Sequence, residues 1–207
     1  MSKPWQDLRV LIAGCGSIGK RHARILAELG LSDLRICDPS RQQRESLCAQ
    51  TPVARAYADY SHGLADRPDA VFICTPPQAH VPMILQALDA GCHVFTEKPL
   101  SDTLSGVDEL ARRVNSSRKT VMVGLCFRFH QGLRRAKHLL DAGLIGRLIS
   151  IRALMGEHLP DVRPDFRNLF TLKSSGAFDL MHDIDLAVWY AGRPVSAVKC
   201  ICGAYSD

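Results

Sequence analysis

The stretch AGCGSIGKRHARIL, Ala13 to Leu26, spaces three glycines as G-x-G-x-x-G at Gly14, Gly16 and Gly19. Alone, that spacing is a weak signal. Its setting gives it meaning: an apolar run, Leu8–Ala13, precedes it, and a helical pattern, Ser17–Leu29, follows. Gly14 allows a tight turn, Gly16 lets backbone approach a pyrophosphate, and Gly19 lets helix and strand pack closely. The helix start adds unsatisfied N–H groups and a dipole that favours an anion. Gly14, Gly16, Ser17, Ile18 and Gly19 therefore form the candidate phosphate-binding set. A second test is an acid closing the next strand. Asp38 follows "LRIC", 24 residues after Gly14. There it accepts hydrogen bonds from ribose hydroxyls and repels a 2′-phosphate, which favours NAD over NADP. Arg41 pulls the other way, since a guanidinium can pair with that phosphate. The plainer role for Asp38 is a turn or cap residue before Pro39.

Outward from this loop the first half alternates short apolar runs with helical patterns. Strands are expected at Leu8–Ala13, Leu34–Cys37, near Val53, and at Ala70–Cys74, His93–Thr96 and Thr120–Val123. Helices are expected at Ser17–Leu29, Arg41–Ala49, His80–Ala90 and Leu104–Val114. Gly30 and Gly91 serve as C-terminal caps, and Ser40 with Gln43 makes a capping box. Apolar strands alternating with helices mean a doubly wound parallel sheet covered on both faces. After Gly124 the rhythm changes, so a boundary is placed there: 1–124 as the dinucleotide-binding domain, 125–207 as a second α/β domain. In the second part a basic helix, Leu133–Ala142, precedes a strand pattern, Arg147–Leu154; a helix, Ala177–Ala191, precedes a last strand in "SAVKCICGAY".

Composition narrows the function classes. The net charge of +5 is spread along the chain. No basic stripe with interleaved aromatics marks a nucleic-acid surface. Cys37, Cys74 and Cys126, three of eight cysteines, lie in or beside apolar runs, where a thiol acts as a small hydrophobe. There is no C-x-x-C pair, and Cys200 with Cys202 lacks further zinc ligands. No metal is expected, and a reducing, cytoplasmic setting fits best. The N-terminus has no apolar signal core, and no apolar run reaches membrane length.

Ligands of a doubly wound sheet lie at the carboxyl ends of its strands. Two strands end there in "ICTPPQAH" and "VFTEKPL". Prolines force the first segment out of the sheet at once. Thr75 and Pro76 can floor the nicotinamide half of a cofactor, and His80 and Glu97 join the candidate cofactor contacts. Lys98, at a strand end and followed by Pro99, is the candidate reactive ammonium. The plainer alternative is a surface lysine paired with Glu97.

These segments, with "ALDAGCHVFTEKPL", "GLCFRFHQGLRRAKHLLDAGLIGRLISI" and "GAFDLMHDIDLAVW", make the chain resemble the Gfo/Idh/MocA oxidoreductases nearly from end to end. The resemblance implies a Rossmann domain followed by an open mixed-sheet α/β domain. It implies NAD(P)-dependent hydride transfer at a carbinol carbon of a sugar, polyol or sugar derivative. It makes Lys98 an active-site residue, with Asp179, His182 and Asp185 matching the second motif. It matches Arg128, in "FRF", to a substrate-domain entry motif, and places Lys98, His182 and Asp185 at the substrate; Arg163 and Arg167 can bind a carboxylate or phosphate on a substrate, the plainer reading being solvated loop arginines. The spacing of Asp179 to His182, with "HLPDVRPDFR", resembles a branch linked to cell-surface sugar synthesis. It also implies a homo-oligomer formed through the second-domain sheet.

Helical spacing adds to the carry-over. Asp179, His182, Leu186 and Trp189 fall on one stripe. Asp179 can then orient His182 as general base, whose ordinary pKa suits that role near neutral pH, while Lys98 polarises the oxygen. The plain alternative is a structural Asp–His hydrogen bond. The resemblance also implies several more strands after the His182 helix, of which this sequence supplies one before Asp207. A fragment, a natural short form and a partner-completed chain are all consistent with that. The competing class is a non-catalytic NAD-binding module.

Overall fold

The computed structural model describes residues 3–154 and 181–201. The chain divides into two compact units, Met1–Gly124 and Leu125–Asp207.

In the first unit six strands form one sheet. They are β1 (Arg9–Ala13), β2 (Asp33–Cys37), β3 (Arg55–Tyr57), β4 (Ala70–Ile73), β5 (His93–Thr96) and β6 (Val121–Val123). The order is β3-β2-β1-β4-β5-β6, and every pairing is parallel. The order reverses at β1/β4, the place where dinucleotides bind in such sheets. The helices are α1 (Ser17–Glu28), α2 (Arg41–Cys48), α3 (Tyr60–Ala65), α4 (His80–Asp89) and α5 (Val107–Ser116). Successive β1 side chains point to opposite faces and so feed two cores. Val10 and Ile12 pack with Ala23, Leu34, Ile36 and Leu47. Leu11 packs with Val71, Ile73, Ile84, Leu88 and Leu110. Strands buried on both faces explain the near-continuous apolar runs.

A buried charge breaks that rule. Arg35 in β2 is buried, and its guanidinium makes two hydrogen bonds to Asp33, at 2.7 and 2.8 Å. It also pairs with the Asp66 carboxylate and donates to the Asp66 carbonyl at 3.1 Å. Tyr57 and Arg55 close on the same carboxylate. This Tyr57 hydrogen bond, ahead of the two arginine charges, holds the Asp66 carboxyl below its ordinary range. At Asp69, burial by itself raises the carboxyl, but the Arg9 N–H at 2.7 Å and the Lys3 ammonium at 2.9 Å outweigh it and lower it. A depressed carboxylate contributes stability above its unfolded pKa and loses it as pH falls through its folded pKa. The urea midpoint is therefore expected to fall as pH drops below about 4. The gap between the parent and Asp69→Asn is expected to be widest near neutrality and to shrink in acid. A gap independent of pH contradicts this.

The second unit contains a 3-10 turn, Cys126–Phe129, and the helices α6 (Gln131–Asp141) and α7 (His182–Ala191). Tyr190 of α7 donates its hydroxyl to the Leu133 carbonyl of α6 at 3.0 Å. The strands expected at Arg147–Leu154 and in the segment after Pro194 do not form among the described residues. A strand is made by its ladder, and no described segment pairs with either one; Ile149 is 87% exposed and Val198 84%. A second-domain sheet as the surface for self-association is thus absent from the described residues.

Candidate functional site

The glycine loop joins β1 to α1, and each of its glycines answers to a different constraint. Gly14 has φ +99°, and a Cβ there would lie 2.5 Å from the Cys74 carbonyl oxygen of the neighbouring strand end. At Gly19 a Cβ would lie 1.8 Å from the Gly14 carbonyl oxygen. These two are dictated by the fold itself. Gly16 is different, because a Cβ there meets nothing within 4 Å. It caps α1 without a side-chain hydrogen bond to the first-turn N–H groups. Gly16, Ser17 and Ile18 are exposed. The loop thus presents open space over an uncapped helix start, the arrangement a pyrophosphate requires.

Asp38 follows β2 and is fixed by two backbone donors. Its Oδ2 accepts from Cys15 N–H at 2.8 Å and its Oδ1 from Ser40 N–H at 2.8 Å. A carboxylate oxygen has more than one acceptor site, so capacity remains for hydroxyl donors. Arg41 is turned to its own helix, with Nε 2.7 Å from Glu45, and both side chains are exposed. The Asp38 carboxylate is thus the anionic group fixed at this loop, with the Arg44 guanidinium held on the adjacent Asp38 and Pro39 carbonyls at 2.5 and 3.1 Å. These residues fit NAD.

Three thiols lie in or beside the loop, Cys15 and Cys37 buried and Cys74 half-buried. Burial, with the Asp38 charge next in size, pushes Cys15 up to about 12. Burial pushes Cys37 up to about 11, and Cys74 is raised for the same reason. The thiolate is the reactive form. Iodoacetamide at pH 8 is expected to modify the exposed Cys48 and Cys126 while Cys15 and Cys37 stay intact, as read by peptide mass spectrometry. Early labelling of Cys15 contradicts the burial.

Beyond β4, Thr75 and Pro76 lead into a 3-10 turn, Pro77–Ala79, and then α4. Thr75 Oγ1 contacts Met83 Sδ at 3.4 Å, and Pro76 is exposed. His80 is not open to a ligand. It is 1% exposed, with Nδ1 2.7 Å from the Pro99 carbonyl and Nε2 2.7 Å from the Thr75 carbonyl. Its expected place among the cofactor contacts gives way to a bridge between two strand-end segments. Glu97 likewise has a partner that the sequence reading missed. His22 of α1 places Nε2 2.7 Å from Glu97 Oε1. Burial alone raises the Glu97 carboxyl, but the His22 hydrogen bond and the Lys98 N–H hold it below the carboxylate range. The sequence signal was the histidine three residues past Gly19, one helical turn along α1. Lys98 follows at half-buried depth, and its bond to Pro99 is cis.

In the second unit His182 opens α7. The Phe127 ring stacks on it at 4.4 Å and 15°, and Cys126 Sγ lies 4.0 Å from Nε2. Arg128 and Asp185, both expected to meet substrate, meet each other. Nε to Oδ2 is 2.9 Å and the second bond is 2.6 Å. Fork-to-carboxylate pairs of this kind fix geometry as well as charge. They tie the 3-10 turn to α7, and Arg128 also lies 6.0 Å above the Trp189 ring. Asp179, Arg163 and Arg167 lie outside the described residues. Among the described residues, no helix is long and apolar enough to cross a membrane. No cluster of His, Cys, Asp or Glu among them is arranged to hold a metal.

Comparison with known proteins agrees with this geometry. The model of an oxidoreductase family with an NAD-binding Rossmann fold matches residues 8–125, and a GFO/IDH/MocA C-terminal domain matches 133–207. The chain is 31% identical over 198 residues to an inositol 2-dehydrogenase/D-chiro-inositol 3-dehydrogenase of Lacticaseibacillus casei, covering 93% of this chain and 55% of that one. It is similar to the crystal structure of myo-inositol 2-dehydrogenase from Lactobacillus plantarum: TM-score 0.77, 30% identity, 90% of this chain and 57% of that one. Scyllo-inositol dehydrogenase from Lactobacillus casei, solved with bound NAD(H) and scyllo-inositol, gives TM-score 0.78 at 27% identity, covering 90% and 56%. The chain spans about half the length of these relatives.

Proposed function

The chain belongs to the Gfo/Idh/MocA oxidoreductase family, and from that premise we propose that it binds NAD at the glycine loop and serves oxidation or reduction at a CH–OH carbon of a polyol or sugar. The observation that carries this reading is the empty space over Gly16, bordered by an uncapped helix start and by Asp38. NAD, when bound, supplies the two-electron acceptor. The first-turn N–H groups of Ser17, Ile18 and Gly19 bind its pyrophosphate, and Asp38 accepts from the ribose hydroxyls. Thr75 and Pro76 line the nicotinamide half through their backbone. Lys98 holds and polarises the substrate oxygen. His182 takes the hydroxyl proton onto its imidazole, and Asp179 orients that ring. Arg128 and Asp185 hold α7, and with it His182, while Arg163 contributes a cation for substrate.

The relatives favour a cyclic polyol of the inositol class. Cell-surface sugar precursors are the finer alternative, resting on the Asp179–His182 spacing. Assembly with a second copy is part of the reading and is checked by sedimentation velocity. NADP is expected to bind about tenfold or more weakly than NAD, because its phosphate meets the fixed Asp38 carboxylate. Fluorescence titration followed by a nicotinamide absorbance assay over cyclic polyols, free sugars and sugar precursors tests the proposal. Binding with turnover of a polyol is expected. Binding without reduction under any substrate supports the non-catalytic NAD-binding module instead, and no binding removes both.

A further inference from the structure

We infer that His22 and His80 are positioning residues that clamp the backbone on either side of Lys98, one through the Glu97 carboxylate and the other through the Pro99 carbonyl. The inference rests on the reading above in that Lys98 is the group whose place matters. A lysine's four-carbon stem is flexible, so what the fold can fix is the backbone that carries it.

On one side stands His22. Its ring is held edge-on by Phe72 at 5.7 Å and Phe95 at 5.2 Å, which stack on each other at 4.9 Å. From that seat it contacts Glu97 Oε1 at 2.7 Å, while Glu97 Oε2 accepts the Lys98 N–H at 3.3 Å. Room for the carboxylate is kept by Gly124, where a Cβ would lie 3.4 Å from both oxygens and 3.0 Å from the Phe95 ring. On the other side stands the buried His80, 2.7 Å from the Pro99 carbonyl and 2.7 Å from the Thr75 carbonyl. Residues 97 and 99 are therefore each held by a histidine from a different helix, with Lys98 between them. His22 sits on α1, whose first turn is the proposed phosphate site. The same helix thus carries the cofactor contact and one half of the clamp.

The test uses His22→Phe, which keeps the aromatic packing and removes the contact to Glu97, and His80→Asn, which reaches at most one of the two carbonyls. His22→Gln retains a donor and serves as the conservative rescue. Amide hydrogen exchange across 97–102 is expected to quicken about tenfold in His22→Phe and His80→Asn, with β1 protection unchanged. His22→Gln is expected to stay near the parent. In the polyol assay kcat is expected to fall about 10- to 100-fold, with KM changing little, as small misplacements near the chemistry do. If Lys98→Met retains turnover, the catalytic reading fails while faster exchange still upholds the clamp. Parent-like exchange across 97–102 in both variants overturns the clamp. Should His80→Asn fail to fold, His22→Phe with its His22→Gln rescue decides alone.

Discussion

Lys98→Met is expected to lower kcat by about a thousandfold, the scale on which a positioned acid–base or polarising group acts. NADH affinity should stay within about twofold, since the interaction lost is one made with the reacting oxygen and not with the cofactor. Methionine suits the test because it keeps a long apolar stem and removes only the ammonium. The neighbouring Glu97 keeps His22 as its partner, so that hydrogen bond survives the change. Stopped turnover with intact NADH binding is the expected result, read by single-turnover absorbance and fluorescence titration. If turnover and binding vanish together, the lysine is structural and the proposed chemistry loses its central group.

Gly19→Ala is the substitution with the largest expected effect on fold and binding together. A methyl there would stand 1.8 Å from the Gly14 carbonyl oxygen and 2.9 Å from its carbon. Both are backbone atoms, so no side chain can swing aside. Relief requires α1 to lift from β1, which costs about 1–3 kcal/mol as overpacking does. It also misaligns the helix start with the loop. Urea unfolding should report that loss. NADH affinity should fall about a hundredfold, or about 2.7 kcal/mol. Gly14→Ala should act in the same direction, since it adds a positive φ to a 2.5 Å approach to the Cys74 carbonyl. Parent-like stability and affinity in Gly19→Ala would mean that the loop gives way freely and that its glycines are not fixed by packing.

The parts of the first unit that were legible were those written in local chemistry. Doubly buried strands are mostly apolar, and β1, β2, β4 and β5 lie within one residue of their expected bounds. Ser40 caps α2 as expected, accepting the Gln43 N–H at 3.3 Å. The six-residue α3 escaped notice because it is too short to show a helical period; its signal was Asp59, which caps the Ser61 and His62 N–H groups. Arg35 read as an ordinary strand residue, because its partner Asp66 is distant in sequence and only the fold brings them together. The same holds for His22 and Glu97, 75 positions apart. In the second unit, alternation at 147–154 suggested a strand, but alternation specifies a face and not a partner. Arg128 and Asp185 were recognised as related to the site, yet sequence could not show that each satisfies the other.

Calorimetric titration of NADH into the parent protein and into Gly16→Leu tests the central claim most directly. The Gly16 backbone, at φ −68° and ψ −170°, is one that any residue adopts, and a Cβ there meets no protein atom within 4 Å. The variant should therefore unfold within a few degrees of the parent, the shift that a poorer helix cap brings. The parent should bind NADH, and the variant should bind it at least about tenfold more weakly, because leucine occupies the space proposed for the pyrophosphate. Equal affinity in the two proteins, or no binding by the parent, would contradict the account.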